Sequence, residues 1–178
     1  MLTLVAALAV TEAIRALGIE AKIKWPNDVV ADGAKLCGIL TELGWVPDGR
    51  YFVIIGIGIN VNQEAFAEEI RQTATSVFLQ TGQQQDRESL LAFILEKFAL
   101  RYEQFACQQD LSGMRDEYES LLANCGQRVK VLDPKGEWEG TALGINDLGE
   151  LLVCRENGQV EAVYAGEVSV RGVYGYAV

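Results

Sequence analysis

Two ammonium groups and a carboxylate fall close together early in the chain. Lys24-Trp25-Pro26-Asn27-Asp28 is followed seven residues after Asp28 by Lys35. Pro26 holds Trp25 extended, because its ring excludes the helical region for the residue before it. Asn27 and Asp28 then set an amide and a carboxylate where the backbone turns. Asp32-Gly33 suits a type I′ turn, which needs positive φ at both central positions. Folding on that turn pairs Val30 with Lys35 and Asp28 with Cys37. Side chains alternate faces along a strand, so Asp28 and Lys35 emerge on one face as diagonal neighbours. Such a cluster can meet the anionic groups of a nucleotide or a carboxylate. Lys22 lies in the same region, but its spacing is better read as that of a solvated strand lysine.

A second constellation follows in residues 51–62. Val53, Ile55, Ile57, Ile59 and Val61 form one β-branched face, expected to be core. The other face reads Ile54, Gly56, Gly58, Asn60, Asn62. Glycine weakens a strand and often marks close approach by a ligand or another backbone. A flat platform ending in two amides is one reading; a β-bulge or packing contact is the other. A dinucleotide fingerprint is excluded, since no third glycine or helix-opening phosphate turn follows.

The elements that must position these residues can be read from periodicity. Residues 3–17 fit a helix stopped by Gly18, and residues 21–25 a strand. After the hairpin and the glycine-bearing strand, two short helical pieces are expected over 65–71 and 74–79. Residues 86–108 carry the clearest helical pattern, with Asp86 as N-cap and Leu90, Phe93, Ile94, Phe98, Leu100, Tyr102 and Phe105 as a core stripe. A shorter helix spans 114–122. From Gly126 onward, short strands alternate with turns such as Asn146-Asp147-Leu148-Gly149 and Glu156-Asn157-Gly158. That spacing suggests a small closed barrel. The expected fold class is α+β: a mixed sheet with helices on one face over residues 1–124, then a barrel over 125–178.

Composition narrows the function classes. The net charge of −10 is spread as −1 over residues 1–62, −6 over 63–124 and −3 over 125–178. No basic footprint for nucleic acid exists. The four cysteines form no C-x-x-C pair and histidine is absent, which excludes a Cys/His zinc site and a histidine-based triad. Isolated thiols suit a reducing, cytoplasmic setting. The apolar start is too short to span a bilayer and lacks a basic leader.

The blocks Lys24–Asp28, Lys35-Leu36-Cys37-Gly38-Ile39-Leu40-Thr41-Glu42 and Gly56-Ile57-Gly58-Ile59-Asn60-Val61-Asn62 resemble, in order and spacing, the biotin protein ligases. The resemblance implies a class II synthetase-like catalytic domain, here partial, and an SH3-like barrel closed by Gly166–Arg171. It implies that ATP, with Mg²⁺, activates biotin as biotinyl-5′-AMP, which then passes to a lysine of a biotin carboxyl carrier protein. Lys35 would contact the biotin carboxylate and the developing acyl phosphate, and Asp28 would support adenylation. Lys24, Asn27 and Asn60 match nucleotide positions, and Gly38 and Gly56 match positions beside biotin. The simple hairpin register puts Gly38 on the face opposite Lys35, so the match requires a bulge.

The family's Gly-Arg-Gly-Arg loop lies upstream of the first block, so the chain is expected to start inside the catalytic domain and to bind biotin weakly by itself. Exposed apolar sheet surface would then favour self-association or a homodimer. Two alternatives stand beside the ligase reading. One is an inactive piece that binds nucleotide or carrier protein; the other is a lipoate or octanoate transfer enzyme, against which the Lys-Trp-Pro-Asn-Asp block argues.

Overall fold

The computed structural model describes residues 1–133, 136–165 and 169–172. Helix α1 (Leu2–Arg15) is buried nearly all round, from Leu4 through Thr11 and again at Ala13 and Ile14, as its Ala/Leu/Val composition dictates. It ends ahead of Gly18, whose φ of 83° only glycine adopts cheaply. Strands β1 (Ala21–Lys24), β2 (Asp28–Ala31), β3 (Ala34–Trp45) and β4 (Tyr51–Ile59) form an antiparallel sheet in that order. The mixed character expected of it reduces to two isolated parallel bridges, Ile23 with Leu122 and Lys35 with Ala74. Asp32 and Gly33 both take positive φ at the β2–β3 turn, as a type I′ turn requires.

Helix α2 (Val77–Thr81) is capped by Ser76, whose hydroxyl accepts from Leu79 N at 3.1 Å. Of the two helical pieces expected, the one over 65–71 does not form, and the one over 74–79 forms as α2, beginning three residues later. Residues 68–73 make turns, and 73–75 run alongside the start of β3. There Lys35 N donates to Thr73 O at 2.7 Å and Thr75 N to Lys35 O at 2.8 Å. These sheet-type bonds replace a local helical turn.

Helix α3 (Arg87–Gln108) has the expected cap, Asp86, which accepts from Ser89 N. Its apolar stripe is less buried than the periodicity suggests. Leu90 and Ile94 are buried and Phe93, Phe98 and Phe105 pack at the core margin, but Leu100 and Tyr102 of the expected stripe are exposed, as are Leu91 and Leu95 outside it. The apolar residues wrap too far round α3 for one neighbouring layer, chiefly α1, to cover them. Glu12 on α1 is tied to Lys97 at 2.7 Å and Arg101 at 3.1 Å, and Arg101 reaches Glu117 on α4 (Arg115–Leu121). The β4 face expected to be core is also only half covered: Val53, Ile55, Ile57 and Ile59 are intermediate, and Val61 alone is buried.

A second antiparallel sheet comprises β5 (Arg128–Leu132), β6 (Trp138–Ile145), β7 (Leu151–Cys154), β8 (Val160–Val163) and β9 (Ser169–Gly172), in the order β8-β7-β6-β5-β9. The expected closing strand supplies β9 alongside β5; residues 166–168 of it, and 134–135 of the β5–β6 turn, lie outside the described residues. The second sheet does not extend the first. One buried cluster nevertheless runs through both, from Leu4 and Trp25 to Leu151 and Val163. Among the described residues no helix is long and apolar enough to cross a membrane.

Candidate functional site

Lys24 ends β1 and Asp28 opens β2, so the intervening corner projects both side chains at one end of the sheet. The Asp28 carboxylate sits 2.6 Å from Lys35 Nζ through Oδ1 and 3.8 Å from Lys24 Nζ through Oδ2. The Asp28 and Lys24 side chains are 6% and 10% exposed, whereas Lys35 is 39% exposed. A buried carboxylate therefore tethers one buried ammonium and one that reaches the surface.

The pairing register explains how this happens. Val30 faces Lys35 as expected, but Asp28 faces Gly38 rather than Cys37, and Val29 takes Cys37. The shift between Val29 and Val30 is the bulge that the match at Gly38 demanded. It brings Lys35 onto the face of Asp28 and Gly38. A Cβ at Gly38 would lie 3.0 Å from Lys35 Cε and Nζ and 3.5 Å from Asp28 Oδ1. The missing side chain thus leaves the lane through which Lys35 reaches Asp28.

On the same face, Gly58 lies opposite Gly38 and Gly56 opposite Leu40. A Cβ at Gly56 would meet only Leu40 O, and one at Gly58 only Gly38 O, each at 3.7 Å, and neither glycine has the positive φ that excludes side chains. Packing and backbone conformation therefore demand glycine at neither position. What the two glycines provide is a flat floor, open to a ligand, in a shallow recess walled by Asn27, Lys35, Ile39 and Leu40.

The amides divide by role. Asn27 Nδ2 donates to Ile39 O at 3.1 Å, and Asn27 O accepts from Ile39 N at 2.8 Å, which docks the corner onto β3. Asn60 Nδ2 donates to Thr75 O at 3.0 Å and ties the end of β4 to the segment flanking Lys35. Asn62 turns away, exchanging bonds with Gln85 N and O at 2.9 Å each; it closes a loop and leaves the platform. Lys22 is exposed, in keeping with a solvated strand lysine. Cys37 is buried, and its thiol is pushed up to about 12 by burial and by the neighbouring Asp28 charge, against the opposing pull of Lys35. A thiol held in its neutral form is a poor nucleophile.

Two supports escaped the sequence reading. The backbone of residues 73–75 brackets Lys35 on the side away from β2, in a stretch whose composition suggested helix. Asn124 and Gly149 hold Trp25 from a distance in sequence that no local pattern reveals. Among the described residues no group of three or more His, Cys, Asp or Glu side chains converges, and Asp28 is already held between two lysines. This donor set does not fit a resident Mg²⁺.

Residues 1–61 match the Biotin/lipoate A/B protein ligase family, and residues 125–171 match the Biotin protein ligase C terminal domain. The chain is 37% identical over 172 residues to the bifunctional ligase/repressor BirA of Bacillus subtilis, covering 95% of this chain and 52% of that protein. It is 33% identical over 180 residues to the biotin–[acetyl-CoA-carboxylase] ligase of Paracoccus denitrificans, covering 96% of this chain and 73% of that one. The structure of a biotin protein ligase from Aquifex aeolicus in complex with biotin and ATP superimposes with a TM-score of 0.85 at 33% identity, covering 96% of this chain and 71% of the other. The chain spans about half the length of the Bacillus relatives it matches.

Proposed function

We propose that this chain, which belongs to the biotin protein ligase family, carries out ATP-dependent activation of biotin as biotinyl-5′-AMP and transfer of the biotinyl group to a lysine of a carrier protein. The observation that carries the reading is the Lys24–Asp28–Lys35 cluster standing at the edge of a glycine floor that packing does not require. In the first step a biotin carboxylate oxygen bonds to the α-phosphorus of ATP and pyrophosphate leaves. Both reactants are anions, so a cation fixed between them lowers the barrier by more than it lowers the ground state. Lys35 has the reach and the exposure for that position, and Asp28 fixes where its ammonium stands. Lys24 offsets the second half of the Asp28 charge and leaves the cluster net positive.

Gly38 and Gly56 lie beside biotin in this reading, and Asn27, Asn60 and Lys24 border the nucleotide. Lys35 and Asp28 are the catalytic pair. Mg²⁺ arrives chelated by the ATP phosphates rather than held by a site of this chain. In the second step the neutral amine of the acceptor lysine attacks the biotinyl carbonyl carbon, and AMP departs with the bonding electrons. We place the division of labour at residue 124, with catalysis in 1–124 and a supporting sheet in 125–178.

The test is transfer of labelled biotin to a biotin carboxyl carrier domain by the protein as its gene encodes it. Label is expected on the carrier with ATP present, and none when its acceptor lysine is replaced by arginine. Label that ignores the acceptor lysine, or its absence with every substrate present, contradicts the assignment.

A further inference from the structure

The corner that bears Lys24 and Asp28 is held from behind by the other end of the chain. Trp25 is completely buried, and both of its N–H groups donate to residues roughly a hundred or more positions away. Its backbone N donates to Asn124 Oδ1 at 2.9 Å, and its indole Nε1 to Gly149 O at 3.0 Å. Next to it, Ala123 N donates to Ile23 O at 2.8 Å. The following residue, Pro26, has no N–H, so Trp25 carries the last donor before the turn. Water does not reach it, and a buried donor left without an acceptor is strongly unfavourable.

Both partners are themselves fixed. Asn124 is buried at the link between α4 and β5, where its carbonyl accepts from Gln127 N at 3.0 Å. Gly149 closes the turn between β6 and β7 at φ 80°, and a Cβ there would press to 2.9 Å from Leu111 and Leu4. That close approach is what lets its carbonyl reach the indole.

We infer that Asn124 is a positioning residue: by accepting from Trp25 it sets the Lys24–Asp28 corner, and with Gly149 it makes the placement of Lys35 depend on the second sheet. The chain of support runs Asn124 to Trp25, Trp25 to the corner, Asp28 to Lys35. Asn124 touches no reacting atom in this scheme. Its loss should therefore blunt turnover and leave substrate affinity largely intact. The inference rests on the ligase reading for its activity readout only.

The experiment compares Asn124→Ala, which removes the acceptor from Trp25 N, with Trp25→Phe, which keeps an aromatic ring and removes the indole donor to Gly149. Biotin-dependent ATP–pyrophosphate exchange gives kcat and KM, and amide hydrogen exchange follows residues 24–28 with β4 as internal reference. Asn124→Ala is expected to lower kcat by about tenfold or more while KM for biotin and ATP stays within about threefold. It should also speed amide exchange across 24–28 by about tenfold without changing β4. Unchanged kcat, or unchanged protection of residues 24–28, overturns the inference. If the parent, as its gene encodes it, shows no biotin-dependent exchange, the ligase reading fails, and the hydrogen-exchange result by itself decides the positioning role. If Asn124→Ala does not fold, Asn124→Ser, whose shorter side chain withdraws the acceptor from Trp25 N, is judged by the same two readouts, while Trp25→Phe tests the Gly149 contact alone.

Discussion

Replacing Asp28 by asparagine removes a charge without changing shape, and the structure says where the penalty falls. Asp28 is the counter-ion of two lysines, of which Lys35 is partly solvated and Lys24 is buried. Breaking a buried ion pair by deleting one partner costs about 3–5 kcal/mol. The Lys35 half of the loss is screened by water and counts for little. Lys24 remains as a buried ammonium facing an amide, though at 3.8 Å its original pairing was not tight. The net loss is then about 2–3 kcal/mol, which for a chain of this size lowers Tm by about 5–10 °C. The burial of Lys24 makes this substitution costly to the fold as well as to the site. Thermal unfolding of Asp28→Asn, Lys24→Met and the double variant tests it. The double variant should regain stability relative to Asp28→Asn, since the buried ammonium is removed together with its carboxylate neighbour. A Tm of Asp28→Asn within about 1 °C of the parent would refute the claim that Asp28 sustains a buried cation.

Gly56→Ala should leave Tm unchanged or slightly raised, since its Cβ meets ordinary contact distances, yet weaken biotin binding by about tenfold or more in calorimetric titration; undiminished binding would remove Gly56 from the biotin floor. Burial pushes the Glu12 carboxyl up, but the bonds from Lys97 and Arg101 outweigh it and hold it below its usual 4.5. The stability this provides is complete above that value and fades as pH falls through the lower folded one. Glu12→Gln should therefore flatten the loss of Tm between pH 5 and 3, and an identical acid profile would refute it. With the Cys37 thiol pushed up to about 12 against 9.0 in the open chain, the folded state holds its proton longer, so stability should fall as pH rises from about 9 toward 12; Cys37→Ser that melts along the same alkaline curve as the parent would contradict this.

Much of the site was legible because it is local. Pro26, the Asp32-Gly33 turn and the glycine alternation are short-range signals, and they sufficed to bring Asp28 toward Lys35 and to single out the platform. The bulge at Leu36 of β3 was legible only as a conflict, since a strict period of two put Gly38 on the wrong face. The bracket over 73–75 and the grip of Asn124 on Trp25 were not legible. Each is a pairing between distant segments, decided by which buried donor lacks a partner, and helix propensity over 74–79 pointed the other way. The stripe of α3 was overcalled for a related reason: periodicity reports which residues are apolar, not how much of the helix its neighbours cover. The fold class was recovered, with the first sheet antiparallel where a mixed one was expected and the second sheet distinct from it.

The central claim is that Lys35, tethered by Asp28 over the glycine floor, stabilises the charge formed when the biotin carboxylate meets ATP. Biotin-dependent exchange of pyrophosphate into ATP isolates that step from transfer. Loss of one preorganised charged donor removes about 2.7–4 kcal/mol of transition-state stabilisation. Lys35→Ala should accordingly reduce exchange by about two to three orders of magnitude. Because Lys35 is partly solvated, it should melt within a few degrees of the parent. Exchange within about threefold of the parent, in a variant that is folded, would contradict the account and leave Lys35 as a surface partner of Asp28 with no part in the chemistry.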